Sequence, residues 1–161
     1  MKRCLLIFGL LLGFLNPVFA TDLEKFQMIS EIGTLANNKN YLQALDKCIE
    51  ALKKYPDEPE LYYWSAVIKS RTGNNEDAVS DFDKAIKLKP DNSSIYVMRG
   101  VAKSDLGDNT GAIADFDKAL KINPKDTSAY IMRACVKIQM GDIQGAGDDF
   151  EASNKILDKK E

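Results

Sequence analysis

The residues best equipped for chemistry in this sequence are acids and bases set at one fixed interval. Asp81, Asp115 and Asp149 lie 34 residues apart, each directly before a phenylalanine. Lys69, Lys103 and Lys137 keep the same interval, as do Arg99 and Arg133. Neighbouring carboxylates can exchange protons, and a row of cations can hold an anionic ligand. The regularity favours a structural role instead. Acidic and basic positions recur together, so each arginine reads as a tie between two helices, its stem covering apolar surface. The sequence has no histidine, which removes histidine dyads, triads and metal sites. The Asp-rich stretches lack calcium-loop spacing, and no glycine-rich phosphate loop is present. No catalytic residue, no metal ligand and no cofactor is expected.

These residues must be positioned by a modest framework. The chain has 161 residues, 45% hydrophobic and 29% charged, which suits one domain with a core rather than a disordered chain. A net charge of −2 gives no electrostatic case for nucleic acid. Residues 1–20 read as a secretory signal peptide: Lys2 and Arg3, an apolar run from Cys4 to Leu15, then Asn16-Pro17 and Val18-Phe19-Ala20. Cleavage is expected after Ala20. The apolar run would rise only about 18 Å as a helix, short of a hydrocarbon core of roughly 30 Å. A secreted or periplasmic protein with no membrane span after cleavage is therefore expected.

Shifted by 34 residues, the sequence registers on itself. Gly73, Gly107 and Gly141 align, as do Ala78, Ala112 and Ala146, and then Phe82, Phe116 and Phe150. Tyr62, Tyr96 and Tyr130 open their units, and Pro56, Pro90 and Pro124 close them. Four units follow, at 25–58, 59–92, 93–126 and 127–160. Each reads as two helices. In the third, Asp91 is the expected N-cap, the first helix runs to Leu106, and Gly107 supplies the left-handed residue that ends it. The second helix carries Ala112, Ile113, Phe116, Ala119 and Leu120 as one apolar stripe and stops before Pro124. Gly100, Ala112 and Ala119 let the pair approach closely, with Phe116 filling the space between. No segment alternates with period 2, so strands are not expected.

This pattern resembles the tetratricopeptide repeat family over nearly all of the chain after residue 20. Units two and three carry Tyr62, Ala66, Gly73, Ala78, Phe82, Ala85, Pro90 and Tyr96, Gly100, Gly107, Ala112, Phe116, Ala119, Pro124 at the family's positions. Unit one departs, with Met28, Ile32, Lys39 and Cys48 at the aromatic, small, turn-glycine and phenylalanine positions. Unit four has Ser153 and Asp158 for its last alanine and its proline. The resemblance implies an all-α solenoid of four helix-turn-helix repeats wound as a right-handed superhelix. It also implies a concave groove on the first helices, where extended or helical peptide segments bind.

Carried over position by position, the groove contains Tyr63, Val67, Ser70, Arg71, Val97, Val101, Ser104, Ile131, Cys135 and Ile138, with Trp64, Met98 and Met132 at its edge. Met98 and Met132 are expected to pack on a neighbouring repeat, and Tyr63, Val97 and Ile131 to be exposed. Some family members clamp acidic chaperone tails with lysine and asparagine at these positions. Here Tyr63, Val67, Val97, Met98, Ile131 and Met132 stand there, and only Arg71 could meet a carboxylate. That specificity is expected to be absent, and an apolar or amphipathic protein segment is the expected partner. The resulting expectation is an exported, non-catalytic adaptor. The alternative is an assembly subunit of an envelope complex.

Cys48 and Cys135 fall in units one and four, separated by several helices at roughly 8–10 Å spacing. A disulfide needs Cα atoms within about 7 Å, so two reduced, buried thiols are expected. Asn92-Ser93-Ser94 forms a glycosylation sequon in a turn. In unit four, Ser153 follows Ala85 and Ala119, and Asn154 follows Ile86 and Leu120. These polar replacements read as a cap that keeps the protein a monomer. Thr21 and Glu24 have capping-box spacing and are expected to start the first helix.

Overall fold

A computed structural model describes residues 17–158. Eight helices and no strand occupy these residues: α1 Pro17–Asn37, α2 Tyr41–Lys54, α3 Pro59–Arg71, α4 Asn75–Leu88, α5 Ser93–Asp105, α6 Asn109–Ile122, α7 Thr127–Gln139 and α8 Ile143–Leu157. They pair as four hairpins, α1–α2, α3–α4, α5–α6 and α7–α8, and each hairpin packs on the next. Residues 1–16, and with them the basic start and the whole apolar run of the expected signal peptide, lie outside the described residues. The expected cleavage point, Ala20, falls near the start of α1. No helix among the described residues is long and apolar enough to cross a membrane.

Local chemistry sets the helix ends. Gly73, Gly107 and Gly141 take φ of 86°, 83° and 85°, left-handed values that cost glycine nothing. In each turn the residue after the glycine donates its N–H to a carbonyl of the last helical turn, as Asp108 does to Lys103 at 2.9 Å. Unit one makes the same turn with Lys39 at φ 62°, and Asn40 donates to Leu35 at 2.9 Å. A side chain in that region costs about 1 kcal/mol or more. Helix starts differ from expectation by small amounts. Asn92, not Asp91, caps α5, because its Oδ1 accepts from the Ser94 N–H at 3.1 Å. The sequon asparagine is thus a structural cap. α1 runs back to Pro17 through Thr21 and Glu24, so their capping-box spacing marks no helix start. Glu24 instead accepts from Lys54 Nζ at 2.5 Å, tying α1 to the end of α2.

The core gathers at the junctions between units. Phe82 is buried with Ala66, Ala85 and Ile95 of the following repeat, and Phe116 with Ala112, Ala119 and Ala129. Gly100 is where α5 yields to the Phe116 ring: a Cβ there would stand 2.8 Å from it. Gly33 yields in the same way to Trp64, whose ring would lie 2.8 Å from an added Cβ. Trp64 is therefore a wedge between the first two repeats as well as a surface residue.

The contacts also fix the curvature. Each first helix touches the next one, α1 with α3, α3 with α5 and α5 with α7, whereas among the described residues no second helix reaches the next second helix. The stack must bend. Its inner, shorter side carries the first helices, and its outer side carries the second.

Candidate functional site

The periodic acids and bases form a ladder across the repeats. On α6, buried Asp115 accepts from Arg99 Nε at 2.9 Å and from Nη2 at 2.5 Å, and pairs with Lys103 at 2.9 Å. Arg99 Nη1 also reaches back to Asp83 of the preceding repeat at 2.5 Å. One unit later, Arg133 repeats both contacts, to Asp149 and to Asp117, and Lys137 joins Asp149 at 2.9 Å. Each guanidinium also lies over a tyrosine, Tyr96 or Tyr130, 5.6 Å from the ring centre. Unit two has no arginine at this place, and Asp81 accepts from Ser65 at 2.7 Å and Lys69 at 2.6 Å. Unit one reverses the sign, with Glu31 on the first helix 3.3 Å from Lys47 on the second.

These carboxylates are engaged by structural partners. Burial pushes the Asp81 and Asp149 carboxyls up, but hydrogen bonds outweigh it and hold both below the ordinary aspartate value. The donors are Lys69, Ser65 and Lys84 for Asp81, and Arg133 and Lys137 for Asp149. Ionised at neutral pH and bound to these donors, they hold helices together. No group of three or more cysteine or carboxylate side chains among the described residues is placed to hold a metal ion.

The inner face offers a different surface. In unit four Ile131 is half-buried, while Cys135 and Ile138 are exposed, Ile138 by 46%. They follow one another at i, i+4 and i+7 on α7, a continuous apolar strip. On α3, Tyr63 packs against Trp64 at 5.5 Å and tilts over Phe82 at 6.1 Å between ring centres. Both aromatics line a hollow of about 310 Å³ with Pro59, Glu60, Lys89, Asn92, Ser94 and Ile95. At the other end of α3, Val67 and Arg71 line a second hollow of about 210 Å³ with Ala36, Asn37, Lys39 and Tyr41.

The sequence pattern of the tetratricopeptide repeat matches residues 34–93 and again 68–127, together more than half of the chain. The chain belongs to the tetratricopeptide repeat family. No curated protein sequence matches it. Among solved structures, MamA from Desulfovibrio magneticus RS-1 is similar at 15% identity and TM-score 0.78, over 85% of this chain and 77% of that one. TTC0263, a thermophilic TPR protein of Thermus thermophilus, is 20% identical at TM-score 0.75, over 83% and 75% of the two chains. The first TPR of Spaghetti (RPAP3), bound to the HSP90 peptide SRMEEVD, is 20% identical at TM-score 0.69, over 73% of this chain and 93% of that one. At these identities the likeness is one of fold.

Within this tetratricopeptide repeat stack the expected groove residues separate into two sets. Val67 and Val97 are 7% and 8% exposed and belong to the core clusters, so the exposure expected of Val97 is corrected. First helices in contact cover most of both side chains, and Val67 keeps a small exposure in the α1–α3 hollow. Tyr63, Trp64, Ser70, Val101, Ser104 and Ile131 are half-buried, and Ser70 donates to Asn75 Oδ1 at 3.0 Å. Arg71, Cys135 and Ile138 are exposed. Met98 packs on the neighbouring cluster as expected, but Met132 is exposed. Cys48 is buried and Cys135 exposed, both free thiols, which corrects the expectation that both are buried. Ser153 is buried with its Oγ unpartnered, and Phe150 is 37% exposed. Of the expected polar cap, Ser153 is thus buried, while Asn154 and Asp158 are at the surface. Sequence reasoning missed the place of Lys39 beside Arg71. The only signal for it was a lysine where three other units have glycine.

Proposed function

We propose that this chain is an exported, non-catalytic adaptor that holds an apolar or amphipathic segment of another protein along the inner face of its first helices. The observation that carries the reading is the accessible apolar strip of Ile131, Cys135 and Ile138 on α7, with the Tyr63–Trp64 hollow on another first helix, α3. Four first helices at roughly 8–10 Å spacing span some 30 Å, room for about ten residues of extended chain. Export rests on residues 1–20 alone, with their basic start and apolar run.

The test is to pan a random peptide library against the protein and read binding from Trp64, the single tryptophan. Selected peptides should be amphipathic and should shift Trp64 emission on binding. Peptides that bind without disturbing Trp64, or no enrichment at all, would sink the proposal.

A second reading, an assembly subunit, draws on the exposed Phe150 ring. Head-to-tail stacking would set Phe150 against Gln27, the unit-one counterpart of Ile95, where the internal junction buries Phe82 with Ile95. That mismatch favours a monomer. Light scattering giving one mass over a hundredfold concentration range supports the adaptor, and a stable oligomer abolished by Phe150→Glu supports the subunit.

A further inference from the structure

The inner face is not uniform in charge along the stack. At its C-terminal end α7 presents Ile131, Cys135 and Ile138. At its N-terminal end the small hollow between α1 and α3 has an apolar floor of Ala36, Tyr41 and Val67, rimmed by Asn37, Lys39 and Arg71. Neither Lys39 nor Arg71 forms an ion pair among the described residues. The ladder cations Lys69, Arg99, Lys103, Arg133 and Lys137, by contrast, are all engaged by aspartates. At the place of Arg71 the following repeats carry Asp105 and Gln139, so the positive end is confined to this junction.

A second observation is independent of charge. Lys39 is the non-glycine residue with positive φ among the described residues, at 62°, in a turn that the other three repeats make with glycine. A β-carbon is unfavourable there, so the fold alone would be served better by glycine. The lysine is the residue that places a second cation on the rim opposite Arg71.

We propose that this hollow seats an acidic side chain, Asp or Glu, of the bound segment, so that the segment lies with its acidic end at α1–α3 and its apolar end on α7. Two cations and the Asn37 amide, which can donate two hydrogen bonds, line a space of about 210 Å³, which has room for one acidic side chain. The apolar floor accommodates the methylenes that carry it. This deepens the adaptor reading and rests on it. It differs from the chaperone-tail clamp of other family members, whose positions hold apolar residues here. The cations lie instead at the helix ends and in the turn.

The probes are dye-labelled peptides of about ten residues, acetylated and C-terminally amidated so that any carboxylate is a side chain. Each has an apolar half and a second half bearing two Glu or two Gln, and binding is read by fluorescence anisotropy. The Glu peptide should bind about fivefold more tightly at low salt, since each exposed pair adds little, and the gain should shrink as salt rises. Arg71→Gln and Lys39→Gly should each erase most of that gain and leave the Gln peptide unchanged. Ile138→Ser should weaken both peptides alike. Lys39→Gly should melt no lower than the native protein, because it relieves the turn. Equal binding of Glu and Gln peptides would overturn the carboxylate site and leave the adaptor reading standing. So would a gain that needs a free C-terminal carboxylate, or a Lys39→Gly variant that melts lower. No binding of either peptide, with none selected by panning, would overturn both.

Discussion

Phe116 and Phe150 occupy the same position in consecutive repeats, yet the first is wholly buried and the second 37% exposed. Each packs between its own pair of helices. Phe116 is then covered by Ala129 from the following hairpin, and among the described residues nothing lies beyond α8 to cover Phe150. Val101 and Cys135, half-buried and exposed, show the same shift, as do Met98 and Met132. Burial in a stack of repeats is thus conferred by the neighbour as much as by the residue. On the inner face the uncovered apolar residues of α7 are therefore accessible, while the α1–α3 end offers charge.

The comparison can be broken most decisively in the core. Phe116→Ala should cost about 3–5 kcal/mol, and Phe150→Ala about 1–2 kcal/mol, because less of its ring leaves water on folding. Val97→Glu and Ile131→Glu form a parallel pair: an unpaired buried charge costs about 3–5 kcal/mol, whereas the half-buried site should lose under about 1 kcal/mol. Urea unfolding measures all four. Equal losses within either pair would mean that α7 and α8 are covered in solution.

Acid should act on the ladder next. The folded-state carboxyls of Asp81 and Asp149 lie below their ordinary value. Their contribution is therefore complete above about pH 4 and is lost as pH falls through the lower folded-state values. Urea midpoints should drop as pH falls below about 4. Asp149→Asn, weaker than the native protein at pH 7, should drop less, and parallel curves would show that Asp149 stays protonated or unpaired.

A smaller effect sharpens the same contrast. Ser153 stands where units two and three have Ala85 and Ala119, and its buried Oγ lacks a partner. Ser153→Ala should gain about 1 kcal/mol and Ala119→Ser should lose at least as much. A loss in the first would mean that the hydroxyl is satisfied. The thiols give the gentlest probe. Burial pushes the Cys48 thiol up to about 12, so iodoacetamide on the folded protein should modify Cys135 and spare Cys48, as read by peptide mapping. Rapid modification of Cys48 would place it at a surface.

What repeats was legible in the sequence. The period of 34, the turn glycines and the Asp–Arg ties all follow from spacing, because each is a local rule obeyed several times. Gly100 against Phe116 could be read the same way. What depends on curvature could not. Val67 and Val97 are apolar residues on the inner face of their helices, but only contact between successive first helices buries them. Cys135 and Phe150 look like their buried counterparts until the missing neighbour is seen. Lys39 reads as a defective turn, and Arg71 comes beside it only because α3 docks on α1.

The matched comparison of two charge insertions tests the inner-face reading most directly. Ile131→Glu with Ile138→Glu alters exposed and half-exposed apolar residues on α7, and Leu42→Glu with Ile49→Glu alters exposed ones on the second helix α2, where Leu42 is 82% exposed. Both pairs add the same charge, and circular dichroism should show both folded. The peptide selected by panning should bind the α7 pair about tenfold or more weakly, since a charge would face its apolar half, and should bind the α2 pair as it binds the native protein. Undiminished binding to the folded α7 pair, or loss confined to the α2 pair, would contradict a partner site on the first helices.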